Sequence, residues 1–230
     1  MIEETGTMKL RSTVALIPVR FLPEAKHRLA ENWDTTSRRA LVQAMLADVL
    51  TALEYAKTIV QRIIVTCDES FSPTYPQDNV ETYRCTVKGL NSELTTCIQR
   101  LTENGVQDIV IILADIPLLT NDALDEIVTI GQHTERPVLA QDWKGTGTNI
   151  LFSSLPLPIE LCFGNQSLQN YRTRFEEANL KPIIYHSVES ALDIDDDLAI
   201  ERFLVLTRLD KKRQQTHTYR LLNREEKKEK

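Results

Sequence analysis

The stretch LDIDDDLAI places four carboxylates within five positions: Asp193, Asp195, Asp196 and Asp197. At neutral pH they repel one another, so water, a helix N-terminus or a bound cation must make the crowding tolerable. Asp193 and Asp195 are one residue apart and can face the same way if the chain is extended there. Asp196 and Asp197 would then fall in the first turn of a following helix, where the dipole favours acids. A further acid, Asp115, ends the apolar run DIVIILAD, where desolvating a carboxylate without a partner is costly. Alone, each acidic loop could be a helix cap or a metal site. Together, hard oxygen ligands from two separate loops form the donor set that grips Mg²⁺ and a polyphosphate. Asp115, Asp193 and Asp195 are therefore the expected metal ligands, with Mg²⁺ as cofactor, and Asp196 and Asp197 are expected to serve the helix.

Three other loops could meet that ion and its phosphates. VRFLPEAKHRLA carries Arg20, Lys26 and Arg28 after an apolar run, and cations there can hold phosphates or remain a solvated basic loop. It lacks the glycines of a Walker loop or of the Gly-x-Gly-x-x-Gly dinucleotide fingerprint. KGLNSE has Gly89 just before a helix start, and Asn91 or Ser92 as a cap is the plain explanation. GTGTN, Gly145 to Asn149, is either an ordinary turn or a set of backbone N–H groups that can face an anion.

These loops need a scaffold, and the chain supplies an α/β rhythm in which short β-branched runs alternate with segments of helical period. STVALIPV, QRIIVTC, NVETYRC, DIVIILAD, RPVLAQDW, NILFS and KPIIYHS read as strands. Leu41, Val42, Met45, Leu46, Val49, Leu50 and Leu53 share one helical face. Further helices are expected over about 92–103, stopped by Gly105, from TNDALDEIV with Thr120 or Asn121 as cap, over about 167–178, and over about 196–208. The pattern predicts a three-layer α/β/α domain whose ligands sit beyond the carboxyl ends of the strands.

With 230 residues and 42% hydrophobic composition, one well-buried core is expected. The domain is read as 12–208, followed by a basic tail over 209–230. That tail has eight Lys/Arg against four Asp/Glu, a net +4, so the rest of the chain carries −10 of the total −6. An acidic body argues against a nucleic-acid partner, and the tail is expected to be solvated, frayed or weakly helical. Cys67, Cys85, Cys97 and Cys162 are scattered and predict reduced thiols without a zinc site. The acidic start and a short apolar run broken by Pro18 predict neither a signal peptide nor a membrane span, hence a cytoplasmic protein, as monomer or homodimer.

The motifs ALIPVRFLPEAKHRLA, KGLNSEL, LADIPLLT, GTGTNILF, CFGNQSLQNY and LDIDDDLAI occur in the order found in the 2-phospho-L-lactate guanylyltransferase family, called CofC in archaea and FbiD in mycobacteria. The resemblance runs from about Val14 to Phe203. It implies a single nucleotide-diphospho-sugar-transferase-like (Rossmann-like) domain with a mixed, mostly parallel sheet. It also implies an enzyme of coenzyme F-420 biosynthesis that joins GTP to 2-phospholactate, phosphoenolpyruvate or 3-phosphoglycerate and releases pyrophosphate. By the same resemblance Asp115, Asp193 and Asp195 match the metal-binding acids, and Thr148, Gly164 and Ser167 match the site for the acceptor carboxylate. Lys26 and Arg28 match the catalytic basic positions that face phosphates, and Gly89, Leu90 and Asn91 the loop lining the nucleotide. Arg20 stands where the family usually has Lys, and Tyr171 where it commonly has His. The latter change bears on which acceptor is used.

Rival activities on such a scaffold are a molybdenum-cofactor or sugar-phosphate nucleotidyltransferase, a glycosyltransferase using Asp-x-Asp, and a nucleotide-binding regulator. The first two favour a glycine-rich first loop, which VRFLPEAKHRLA is not.

Overall fold

The computed structural model describes residues 11–20, 26–74 and 79–225. Its first strand, β1 (Thr13–Pro18), is buried along its whole length. Val14 and Leu16 enter one hydrophobic cluster while Ala15 and Ile17 enter another, as a strand covered on both faces requires. The remaining strands are β2 (Ile59–Thr66), β3 (Val80–Arg84), β4 (Asp108–Ile112), β5 (Val138–Gln141), β6 (Thr148–Ser154) and β7 (Ile183–Tyr185). They form one sheet in the order β3-β2-β1-β4-β6-β5-β7. Only β6 runs against its neighbours, β4 and β5, so the sheet is mixed and mostly parallel.

The helices are α1 (Thr35–Tyr55), α2 (Leu90–Glu103), α3 (Asn121–Thr134), α4 (Ser167–Glu177), the single turn α5 (Val188–Ala191), α6 (Asp197–Arg208) and α7 (His217–Glu225). Leu46 of α1, Leu124 of α3, Phe203 of α6 and Leu222 of α7 pack on the Ala15 and Ile17 face. Leu94 of α2 and Tyr171 and Phe175 of α4 pack on the Val14 and Leu16 face. The three layers expected from the sequence are present. All four cysteines are unpaired thiols, two of them buried and two half-buried.

Two local expectations need correction. The segment after Leu209 is not a solvated tail over its described length, because α7 docks against α1. Buried Asp48 of α1 accepts from the backbone N–H groups of His217 (2.6 Å) and Thr218 (3.0 Å), and the Thr216 hydroxyl accepts from Tyr219 N (3.2 Å). The first N–H groups of α7 are thereby satisfied from outside and inside the segment. The second correction is at α2, which begins at Leu90 with neither Asn91 nor Ser92 as cap. Gly89 is the N-cap at φ 123°, a backbone conformation that suits glycine. The Glu93 carboxylate reaches back to Gly89 N (2.9 Å), so an acid in the first turn of α2 satisfies the backbone N–H of the cap residue.

Candidate active site

β1 is flanked by β2 on one side and β4 on the other, so the connections diverge there and leave a crevice at the strands' carboxyl ends. A cleft of about 310 Å³ occupies it, lined among others by Arg20, Lys26, Leu90, Glu93, Asp115 and Asp195. A larger groove, about 810 Å³, lies between α2 and residues 156–161 and shares only Asn91 with the candidate residues. The ionisable candidate groups converge in the smaller cleft and not in the larger groove.

The acidic loop is held in register by its backbone. Ile194 N donates to Asp115 O (3.0 Å), and the Ile194 side chain is fully buried. Asp193 and Asp195, on either side of it, therefore point away from the core toward Asp115. Asn149, buried in β6, donates from Nδ2 to Ser190 O (3.0 Å) and Ala191 O (2.9 Å), which fixes the chain leading into Asp193. Lys26, in a left-handed conformation with φ 54°, places Nζ 2.6 Å from Asp115 Oδ2 and 2.5 Å from Asp195 Oδ1. Its ammonium occupies the point where the two carboxylates face one another.

The electrostatics follow from that geometry. Burial works against the charged Lys26 ammonium, yet Asp115 and Asp195 overcome it and hold the pKa above the ordinary lysine value. Burial would raise Asp195, but Lys26 first, then Arg28 and Lys144, hold it below the usual carboxylate value. Asp193 is pushed up to about 6 by burial, with Asp115 and Asp195 adding repulsion. Among the described residues no three His, Cys, Asp or Glu side chains converge as a ready metal cage. Asp115 Oδ1, however, is a buried oxygen without a hydrogen-bond partner. An orphaned carboxylate oxygen beside two further carboxylates on a tethered loop is a donor set that suits a hard divalent cation such as Mg²⁺.

The other two aspartates differ from each other. Asp196 is the N-cap of α6 and accepts from Ala199 N (2.9 Å). Asp197 opens the helix, but its carboxylate accepts from Asn32 Nδ2 (2.7 Å), tying α6 to the chain that follows the short 3-10 turn His27–Leu29. Arg28 lies exposed on that turn, and Arg20 is exposed at the cleft. The stretch 21–25 of the same basic loop lies outside the described residues.

Thr148, Gly164 and Ser167 come together at the start of α4. Ser167 Oγ accepts from Thr148 N (2.9 Å) and Ser167 N donates to Gly164 O (3.2 Å). Gly164 has φ 130°, which lets the chain turn its backbone into the helix. Thr148 Oγ1 is buried and unpartnered. Leu113 N donates to Asn149 O (3.0 Å) beyond the Ile112–Ile150 pair, so the start of β6 runs beside the chain that leads from β4 to Asp115. The start of α4, tied to Thr148 at the start of β6, and Asp115, which follows β4, thus belong to neighbouring strands.

Of the predicted nucleotide loop, Leu90 lines the cleft and Gly89 caps α2. Asn91 spends both polar atoms on Phe163, accepting from its N (2.9 Å) and donating to its O (3.0 Å). Tyr171 is fully buried beneath the same segment. Three site residues went unseen in the sequence: Glu93, Lys144 and Asn149. Glu93 ends the loop motif KGLNSE, Lys144 directly precedes GTGTN and Asn149 ends it, which were the available signals.

Comparison with known proteins bears on the family and the fold. The family model described as "Guanylyl transferase CofC like" matches residues 13–221. The chain is 30% identical to a phosphoenolpyruvate guanylyltransferase of Conexibacter woesei, over 86% of this chain and 90% of that protein. It is 28% identical to a 2-phospho-L-lactate guanylyltransferase of Methanocaldococcus vulcanius, over 79% and 80% of the two chains. A solved structure from Desulfovibrio desulfuricans described as a nucleotide-diphospho-sugar transferase superposes with TM-score 0.74 at 16% identity, covering 95% and 96% of the two chains. That likeness shows the fold. Because the family match spans the cleft, the start of α4, the acidic loop and most of the docked α7, the chain belongs to the CofC-like guanylyl transferase family.

Proposed function

We propose that this guanylyltransferase transfers the GMP moiety of GTP to the phosphate of a small phosphorylated acid, with Mg²⁺ as cofactor, in coenzyme F-420 biosynthesis. The acceptor class is 2-phospholactate, phosphoenolpyruvate or 3-phosphoglycerate. The observation that carries it is the Lys26 ammonium held between Asp115 and Asp195, one strand from the Thr148, Gly164 and Ser167 cluster. One half of the cleft suits a charge-neutralised triphosphate, and the other suits a carboxylate.

An oxygen of the acceptor phosphate attacks the α-phosphorus of GTP, the bond from the α-phosphorus to the bridging oxygen breaks, and pyrophosphate leaves. The acceptor phosphate is already ionised, so no strong general base is required, and none of the four His is assigned a part. Lys26 and Arg28, with Arg20, steady the phosphates and the leaving group. Asp115, Asp193 and Asp195 would hold Mg²⁺, which supplies neutralisation of phosphate charge when bound. The backbone around Gly164, with the Ser167 and Thr148 hydroxyls, orients the acceptor carboxylate so that its phosphate is presented in line.

The test supplies the protein with GTP, Mg²⁺ and each of the three phospho-acids in turn and follows pyrophosphate. Release that depends on one of these acids is expected. Release with none of them, or release only in the presence of a nucleotide sugar, would reject the assignment.

A further inference from the structure

The segment Cys162–Gly164 leads into the start of α4 and is gripped from two sides. Cys162 N donates to the Tyr171 hydroxyl (3.1 Å), which comes up from beneath because Tyr171 lies one turn into α4 and is fully buried. The Phe163 ring packs edge-on against the Tyr171 ring, with centroids 5.2 Å apart. From the α2 side, Asn91 exchanges two hydrogen bonds with the backbone of Phe163. A side-chain amide paired this way with both polar groups of one residue copies the pairing of a strand neighbour, and its orientation is set by Phe163. Only Gly164, Asn165 and Gln166 separate the gripped residue from Ser167, and Gly164 and Gln166 both have positive φ. With so short and so constrained a connection, a shift at 162–163 moves the start of α4.

We propose that Asn91 and Tyr171 are positioning residues for the acceptor, clamping Cys162–Gly164 so that Gly164 and Ser167 meet its carboxylate, and that Asn91 does not serve the nucleotide. This rests on the acceptor site proposed above. It also gives the buried Tyr171 a part, since its hydroxyl holds Cys162 N from beneath.

The test uses the full-length chain with Asn91→Ala, Asn91→Asp and Tyr171→Phe. KM for the best phospho-acid, KM for GTP and kcat are measured, and GTP affinity is determined separately by equilibrium titration. Asn91→Ala should raise the acceptor KM roughly tenfold while the GTP dissociation constant stays within about twofold, as expected when a pair of hydrogen bonds to the acceptor loop is lost. Asn91→Asp can still accept from Phe163 N but cannot donate to Phe163 O, so it should fall between Ala and wild type, and it carries the test if Ala fails to fold. Tyr171→Phe keeps the rings and should raise the acceptor KM alone. An unchanged acceptor KM in these variants, or a GTP affinity that falls in step with it, overturns the clamp. If the wild type uses none of the phospho-acids, the proposed function fails separately, and the clamp is then judged by amide hydrogen exchange. Residues 162–168 should exchange faster in Asn91→Ala and Tyr171→Phe, and unchanged exchange refutes it.

Discussion

Replacing Lys26 by Met probes the acidic cleft most sharply, because it should push metal binding and turnover in opposite directions. Met keeps the apolar stem of the side chain and removes the charge. In the native protein that charge sits 2.6 Å and 2.5 Å from two carboxylates, with side-chain exposures of 10% for Lys26, 22% for Asp115 and 42% for Asp195. Breaking a buried pair by removing one partner costs about 3–5 kcal/mol. Water at Asp195 screens part of this, so about 2–3 kcal/mol is the expected loss. In a domain of this length that corresponds to a fall of roughly 5–10 °C in melting temperature in EDTA. Adding Mg²⁺ should then raise the melting temperature of Lys26→Met more than that of the wild type, since no ammonium competes for Asp115 and Asp195. Turnover should still collapse, because the cation facing the phosphates is gone. Thermal melts of both proteins in EDTA and across a Mg²⁺ series, with pyrophosphate release measured beside them, decide the matter. A variant as stable as the wild type in EDTA, or one gaining no more from Mg²⁺, would refute the reasoning.

Three aspartates of the acidic loop should separate by role. Asp193→Asn or Asp195→Asn should abolish Mg²⁺-dependent turnover, whereas Asp196→Asn, losing charge at a helix start, should change stability by about 0.3–1 kcal/mol with turnover kept; equal loss in all three contradicts this. Ser167→Ala removes the oxygen that accepts from Thr148 N and should weaken acceptor use by roughly 1.5–3 kcal/mol if it also holds a charged carboxylate, leaving GTP affinity unchanged. A comparable loss of GTP binding would reject that role. Asp48 gives a pH signature, since burial, partly offset by its bonds from Thr218 and His217, pushes its pKa up from 3.8 to about 6. Between those values the unfolded chain has lost the proton that the native one keeps, so the stabilising term is full below 3.8 and disappears as pH rises through 6, amounting to about 3 kcal/mol. Urea melts from pH 4 to 7 should show that decline in the wild type and a flatter profile in Asp48→Asn, and parallel profiles would contradict the shift.

The parts legible in the sequence are those governed by short-range periodicity. Asp193 and Asp195 could be paired because a single residue separates them in an extended stretch, and the buried Ile194 between them does turn them to one side. Asp196 and Asp197 were expected together in the first helical turn, and the helix does start there, with Asp196 one position earlier as its cap. The alternating strands and helices likewise revealed the three layers. What escaped depended on contacts between distant segments. Nothing near Lys26 shows that it folds back between carboxylates 89 and 169 positions away. Asn91 looks like a helix cap locally and becomes a loop clamp only when Phe163, 72 residues on, arrives beside it. The docking of α7 was hidden because its charges dominate composition, while its anchors are buried Leu222 and a cap supplied by Asp48 from another helix.

The central claim, that GMP passes from GTP to a phospho-acid, is tested most directly by following two labels of one substrate. The purified protein is given Mg²⁺, the phospho-acid it prefers, and GTP carrying radioactive phosphorus at either the α or the γ position. The α label should appear in a new compound whose mass equals GMP joined to the acceptor through a phosphate–phosphate bond, and the γ label wholly in pyrophosphate, both only when acceptor is present. Appearance of the γ label in the acceptor or as free phosphate, or failure of the α label to join any of the three acids, would contradict it.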